Sequence, residues 1–279
     1  MPNSPANEAE RFSADLGAVQ ETLLIPLYFR AMETERDDAI IRDPKAVEIV
    51  DSIDYDFAKF AGAWNLQMDV AVRTEIFDER VREFIVRHPD AAIINLGAGL
   101  DGRFERIDNG RIRWWDLDLP DSIELRERFY RPSDRNAFIA SDCFDTAWMD
   151  NLDLGPDRPL LVTAEGLFCY CDELKVRSLF AELSQRWPGA EILFQSICPA
   201  IVGKQSTVAA VCKTDAVFRW GICDGQEVCG WDPCYQYIGE WYLVDRHRRR
   251  WKSIRYRTWF PPTRAWFRQV MKITQVRLG

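Results

Sequence analysis

The chain has 279 residues, 47% of them hydrophobic and 29% charged, the profile of a globular protein with a sizeable core rather than of a disordered one. A formal net charge of −8 speaks against nucleic acid or an anionic membrane as a nonspecific partner. No apolar run approaches the roughly 18 residues that span a bilayer, and the start MPNSPANEAERF has neither the basic nor the apolar part of a secretory signal, so the eight cysteines are expected to be reduced thiols of a cytoplasmic protein.

In chain order, residues 1–12 read as a flexible start. Residues 13–36 carry Leu16, Val19, Leu23, Leu24, Leu27 and Tyr28 at helical spacing, with Pro26 expected to kink or split the helix. Asp43-Pro44 is an N-cap followed by proline at the first helical position, opening a short helix through Val50. A longer helix over 67–87 places Val70, Ile76, Phe77, Val81, Phe84 and Ile85 on one side, and His88-Pro89-Asp90 closes it. Residues 1–90 are therefore expected to form a helical cover ahead of a sheet. From 91 onward strands near 91–96, 111–117, 136–140, 158–164 and 190–197 alternate with helices near 120–131 and 172–187, the latter capped by Asp172. This alternation predicts an α/β fold with a mostly parallel sheet and helices on both faces. Residues 198–240, rich in Cys, Gly and aromatics, read as an insertion within the 91–279 core. Residues 241–260 read as strand-like and basic, followed by a helix Arg264–Met271 and a last strand Ile273–Leu278.

The chemistry concentrates in Ile93–Pro120. An apolar run ends in the turn Gly97-Ala98-Gly99, and a second strand-like run, Ile112–Trp115, ends in Asp116 and Asp118. A strand, a glycine turn and an acid about 20 residues on describe a nucleotide-type cofactor site, the acid accepting hydrogen bonds from a ribose. Gly97, Gly99 and Gly102 spell G-x-G-x-x-G, which fits a dinucleotide. Asp101 lies inside that loop, however, where its charge would repel a pyrophosphate and tolerate the ammonium and sulfonium of S-adenosylmethionine. Since ligands of such sheets sit at the carboxyl ends of the strands, Gly97–Asp101, Asp116–Asp118, Asp142-Cys143 and Glu165–Tyr170 are expected on one rim.

Other clusters carry less. Cys223, Cys229 and Cys234 are separated by five and four residues with no paired histidine, and Cys169 and Cys171 by one, so no metal site is expected. The arginine-rich run Arg246–Arg257 fits a solvated strand face, or steering of an acidic substrate, better than an RNA surface in so acidic a chain. Of the two histidines, His88 ends a helix and His247 lies in the basic segment; the candidate catalytic residues are His247, as a base, and Tyr170, at the rim. Scarcity of bases favours a carboxylate acceptor, which is already ionised at neutral pH, over a phenol.

Asn95–Asp101, Asp116–Pro120 and Ala164–Leu167, with Arg30–Glu33, Asp43–Ala46 and Arg73-Thr74 upstream, resemble the leucine carboxyl methyltransferase family, in particular its tetracenomycin-type polyketide O-methyltransferase branch. The resemblance covers roughly residues 20–200. It implies a Rossmann-like class I methyltransferase fold and an S-adenosylmethionine cofactor. It also implies roles: Arg73 pairing with the methionyl carboxylate, Gly97, Ala98 and Gly99 packing against the methionyl moiety, Asp118 holding the ribose, Asp142 and Cys143 beside the adenine, and Glu165 near the methionyl ammonium. Asp116 stands where the family often has Glu, which shifts the ribose role to Asp118, and Gly102 stands where it often has Thr. The implied activity is methyl transfer to a carboxylate or hydroxyl of a small polyketide-like metabolite. The rival readings are an NAD(P)-dependent oxidoreductase, for which no hydride-transfer acid stands out, and a non-catalytic binding protein of the same fold.

Overall fold

The computed structural model of the chain describes residues 12–13, 18–152, 154–155, 158–204, 217–251 and 260–279. The start at 1–11, the centre of the expected insertion (205–216) and the second half of the basic run (252–259) lie outside them.

Among the described residues three α-helices precede the sheet: α1 (Ala18–Thr34), α2 (Pro44–Ser52) and α3 (Trp64–Arg87). The Asp43 carboxylate caps α2 by accepting from the Ala46 backbone N–H at 3.1 Å, with Pro44 at the first position, where its missing donor costs nothing. Contrary to the expected break, α1 runs unbroken through Pro26. The two-residue strands Phe12–Ser13 and Ile53–Asp54 pair in parallel as a separate two-stranded sheet.

The seven-stranded sheet comprises β1 (Ala92–Leu96), β2 (Arg113–Asp118), β3 (Asn136–Ala140), β4 (Leu160–Ala164), β5 (Glu191–Ile197), β6 (Gln236–Tyr242) and β7 (Met271–Arg277), in the order β3-β2-β1-β4-β5-β7-β6. The first five strands are mutually parallel, and β7 is antiparallel to both β5 and β6. The expected α/β fold is thus present. Between the strands lie α4 (Arg103–Ile107), α5 (Pro120–Phe129), α6 (Glu173–Arg186), α7 (Gln226–Cys229) and α8 (Pro261–Val270). The Asp172 carboxylate caps α6 through the Leu174 N–H at 2.9 Å, as its position predicts.

Because β1 and β4 are buried on both faces, alternate residues feed two cores. Ile94 and Leu96 pack with Val176, Phe180 and Leu183 of α6. Ile93, Leu161 and Leu193 pack on the other face with Val72, Ile76 and Phe77 of α3. The strand order reverses between β1 and β4, the switch point at which such sheets open a crevice for a ligand.

The end of the chain departs from expectation. Strand β6 begins at Gln236, inside the stretch read as an insertion, and gives way after Tyr242 to short 3-10 turns at Leu243–Asp245 and Arg248–Arg250 in place of a strand. Ion pairs hold this course: Arg250 forks onto Glu33 at 2.7 and 2.8 Å, and Arg246 reaches Glu75 and Glu79, so the described part of the basic run is a strap tied to α1 and α3 through these acids.

Candidate functional site

The carboxyl ends of β1, β2 and β4 open into a cavity of about 690 Å³, within the range of small-molecule sites. Its lower rim is the loop after β1. Gly97 has φ +65° and Gly99 φ +47°, a left-handed backbone that glycine adopts without strain, and a Cβ on Gly99 would sit 3.0 Å from the Leu23 side chain. The loop hangs from β2, because the Gly97 and Ala98 N–H groups donate to the Leu117 carbonyl at 2.8 and 3.1 Å.

Buried arginines hold the loop from below. Arg126 donates to the carbonyls of Gly99 (2.9 Å) and Asp101 (2.8 Å), and Arg30 to that of Leu100 (2.8 Å). Arg126 is itself fixed by Asp116 at 2.6 Å, both side chains being 1% exposed. Asp116 also accepts from Trp114 Nε1 (2.8 Å) and from Asn95 Nδ2 (3.0 Å), its neighbour in the β1–β2 register. Asp116 is thus committed beneath the loop, whereas Asp118 lines the cavity. The Asp118 carboxylate accepts from the Gly99 N–H at 2.7 Å and the Leu119 N–H at 2.8 Å, and burial raises its pKa despite those bonds.

Asp101 requires a correction to the charge argument. It pairs with Arg103 at 2.8 Å and Arg106 at 3.0 Å, and although burial opposes ionisation, these cations hold its pKa well below the carboxylate range. Its charge is answered within the protein, so it does not by itself repel a phosphate.

The wall above the loop is a chain of alternating charges. Arg73 of α3 donates from Nε to Glu165 at 2.7 Å and from Nη1 to Gln195 at 3.1 Å. Glu165, just past β4, is also bonded by Arg103, which pairs in turn with Asp78 at 2.7 Å. Asp69, one turn before Arg73 on α3, lies 3.7 Å from Arg73 Nη1. On the far side of the loop, Asp142 accepts from the Phe144 N–H at 3.0 Å, and Cys143 is buried, its carbonyl bonded by Trp148 Nε1 at 3.2 Å.

All eight expected cofactor residues, Arg73, Gly97, Ala98, Gly99, Asp118, Asp142, Cys143 and Glu165, line this one cavity, as does Tyr170. His247 does not. It sits on the strap with φ +46° and places Nε2 3.0 Å from both Glu75 oxygens, away from the cavity. Burial raises the Tyr170 phenol above its usual range and lowers the His88 imidazole. Asp69, Leu66, Gln195, Phe218 and Met271 also line the cavity without belonging to any motif. Only the Asp69/Arg73 pair, four residues apart on a helix, leaves a trace in the sequence. Among the described residues no group of three or more His, Cys, Asp or Glu is arranged to hold a metal ion, and no helix is long and apolar enough to cross a membrane.

The donor set fits the cofactor that the resemblance implies. Asp118 suits a pair of hydroxyls, Arg73 a carboxylate, and the nearby carboxylates an ammonium or sulfonium, while Gly97 and Gly99 add no side chain of their own to the loop.

Comparison with known proteins agrees. The leucine carboxyl methyltransferase family matches over residues 24–184. The tetracenomycin polyketide synthesis O-methyltransferase TcmP of Streptomyces glaucescens is 31% identical over 231 residues, 82% of this chain and 85% of the relative. The S-adenosyl-L-methionine-dependent methyltransferase dpfgK of Gibberella zeae is 30% identical over 187 residues, 62% of each chain. A solved structure, a duf574 family protein from Streptomyces avermitilis, matches the fold with a TM-score of 0.60 at 12% identity, covering 94% of this chain and 100% of that one. The chain belongs to the leucine carboxyl methyltransferase family and is an S-adenosylmethionine-dependent methyltransferase of class I fold.

Proposed function

We propose that the chain transfers a methyl group to an oxygen, carboxylate or hydroxyl, of a small, apolar, polyketide-like metabolite. The observation that carries this reading is the continuity of one cavity. The charged rim of Gly97, Asp118, Arg73 and Glu165 runs without a partition into a wall of Ile25, Leu66, Phe218 and Met271. The printed name of TcmP, an O-methyltransferase of polyketide synthesis at 31% identity, supports the oxygen and the acceptor class.

S-adenosylmethionine supplies, when bound, a methyl group already activated on a sulfonium. The protein is left to position the partners and to exclude water. In this reading Asp118 accepts hydrogen bonds from the ribose hydroxyls, each carboxylate oxygen retaining acceptor capacity beyond its backbone N–H bond. Arg73 faces the methionyl carboxylate, held in orientation by Glu165 and Gln195. Glu165 would add negative charge for the methionyl ammonium, the backbone of Gly97, Ala98 and Gly99 would take the methionyl moiety, and Asp142 and Cys143 would take the adenine. Helix α1, through Leu23, Ile25 and Pro26, covers the cavity and keeps water from the acceptor side.

The test is incubation with labelled S-adenosylmethionine and a panel of aromatic carboxylic acids and phenols. Base-labile label indicates an ester and stable label an ether. Label on neither panel, from a protein that binds S-adenosylhomocysteine, contradicts transfer to oxygen.

A further inference from the structure

Along α3, Leu66, Asp69, Val70 and Arg73 recur at the spacing of one helical face and all line the cavity. Arg73 contacts the charged rim, while Leu66 continues the apolar wall that includes Tyr170 and Phe218, whose rings stack at 5.3 Å with 22° between their planes. A carboxylate one turn above the rim is therefore carried into the acceptor half of the site. The other carboxylates of the cavity are already engaged: Asp118 by two backbone N–H groups, Asp142 by Phe144, Asp172 by Leu174, Glu165 by two arginines and Asp101 by two more. Asp69 accepts no hydrogen bond from any described residue. Its one ion-pair neighbour, Arg73, is 3.7 Å away and already spent on Glu165 at 2.7 Å.

We propose that Asp69 is the general base of the reaction and that the acceptor is a hydroxyl, phenolic or enolic, on a flat apolar molecule rather than a carboxylate. This rests on the reading of the chain as an O-methyltransferase and reverses the preference for a carboxylate that the scarcity of histidines suggests. The acceptor O–H bond breaks and its proton passes to an Asp69 carboxylate oxygen. The electron pair left on the acceptor oxygen forms the new O–CH₃ bond, while the C–S bond of the donor breaks with its electrons remaining on sulfur. A carboxylate acceptor has no proton to give and would meet Asp69 as a like charge.

The groups facing Asp69 are Arg73 on its own helix, Glu165 after β4, and Cys169 and Tyr170 in the turn that follows. Burial pushes Asp69 up to about 6, opposed by Arg73 and reinforced by Glu165. Burial also raises Cys169 and Tyr170, which stay neutral near pH 7 and do not compete for the proton. A base that ionises just below neutral pH is suited to a proton transfer at neutral pH.

The test is Asp69→Asn, which keeps the shape and removes the base. Calorimetry with S-adenosylhomocysteine is expected to give the wild-type affinity within about twofold. With that ligand bound, 2-naphthol, a phenol that keeps its proton through this range, is expected to bind wild type about tenfold more tightly at pH 7 than at pH 5, as Asp69 ionises, and to bind the variant equally at both. Methylation of phenols is expected to fall by about 10²-fold or more. Naphthol binding with the same pH dependence in both proteins, or phenol methylation within threefold of wild type, overturns the assignment of Asp69. Preferential methylation of carboxylic acids by the wild type overturns the hydroxyl acceptor. A wild type that binds S-adenosylhomocysteine yet methylates neither panel overturns instead the O-methyltransferase reading beneath it.

Discussion

The two halves of the cavity are built in opposite ways. The rim at β1, β2 and β4 is polar and fixed: its loop carbonyls are held by Arg30 and Arg126, its carboxylates are each answered by a cation or a backbone N–H, and its glycines take conformations that other residues resist. The acceptor half is apolar, assembled from α1, α3, the turn after β4, residue 218 and the start of β7, and it contains one carboxylate with no hydrogen-bond donor among the described residues. The polar half is held by a dense set of hydrogen bonds and ion pairs, the apolar half by packing.

The comparison breaks most visibly under the rim. Asp116→Ala leaves Arg126 charged and unpaired at 1% exposure and is expected to cost about 3–5 kcal/mol in urea denaturation; a loss below 1 kcal/mol would mean that the loop does not depend on this pair. Asp69→Asn is expected to act with the opposite sign. The folded protein raises the Asp69 carboxyl from an ordinary 3.8 to about 6, so the fold binds its proton more tightly than the unfolded chain does, and stability is lost as pH rises from about 4 through 6. Relieving that cost is worth about 2–3 kcal/mol above pH 7 and nothing near pH 4, to be read from denaturation at both. Equal stability of variant and wild type at pH 8 would show that Asp69 is not desolvated. Gly99→Ala forces a Cβ into a backbone at φ +47° and to 3.0 Å from Leu23, and a loss of about 1–2 kcal/mol is expected, with weaker S-adenosylhomocysteine binding. The smallest effect belongs to His247→Ala, whose half-exposed pair with Glu75 lies outside the cavity. Stability within about 1 kcal/mol and unchanged methyl transfer are expected, and a large loss of activity would return His247 to the site.

The rim was legible from the sequence because its residues follow one another at strand ends, where hydrophobic runs give way to glycines and acids. The five parallel strands showed for the same reason, each an apolar run bounded by turn residues. The acceptor wall left almost no trace, since Leu66, Asp69, Phe218 and Met271 come together only after α3 and β7 have docked on the sheet, and apolar spacing reads the same whether a helix packs on a core or lines a cavity. Periodicity also failed at Arg246–Trp251. The segment reads as strand-like and basic, while ion pairs with Glu33, Glu75 and Glu79, distant in sequence, hold it in turns. Asp101 shows the same limitation in charge: a carboxylate beside a ligand loop speaks against an anionic ligand only if nothing neutralises it, and Arg103 and Arg106 do.

The central claim is that the rim of β1 and β2 holds the methyl donor through Asp118. Calorimetric titration of S-adenosylhomocysteine into wild type and Asp118→Ala tests it most directly. The account predicts binding by wild type, no binding of NAD, and a loss of affinity of about tenfold to a hundredfold in the variant, the value of hydrogen bonds to a charged group. Equal affinity in the two proteins would contradict it.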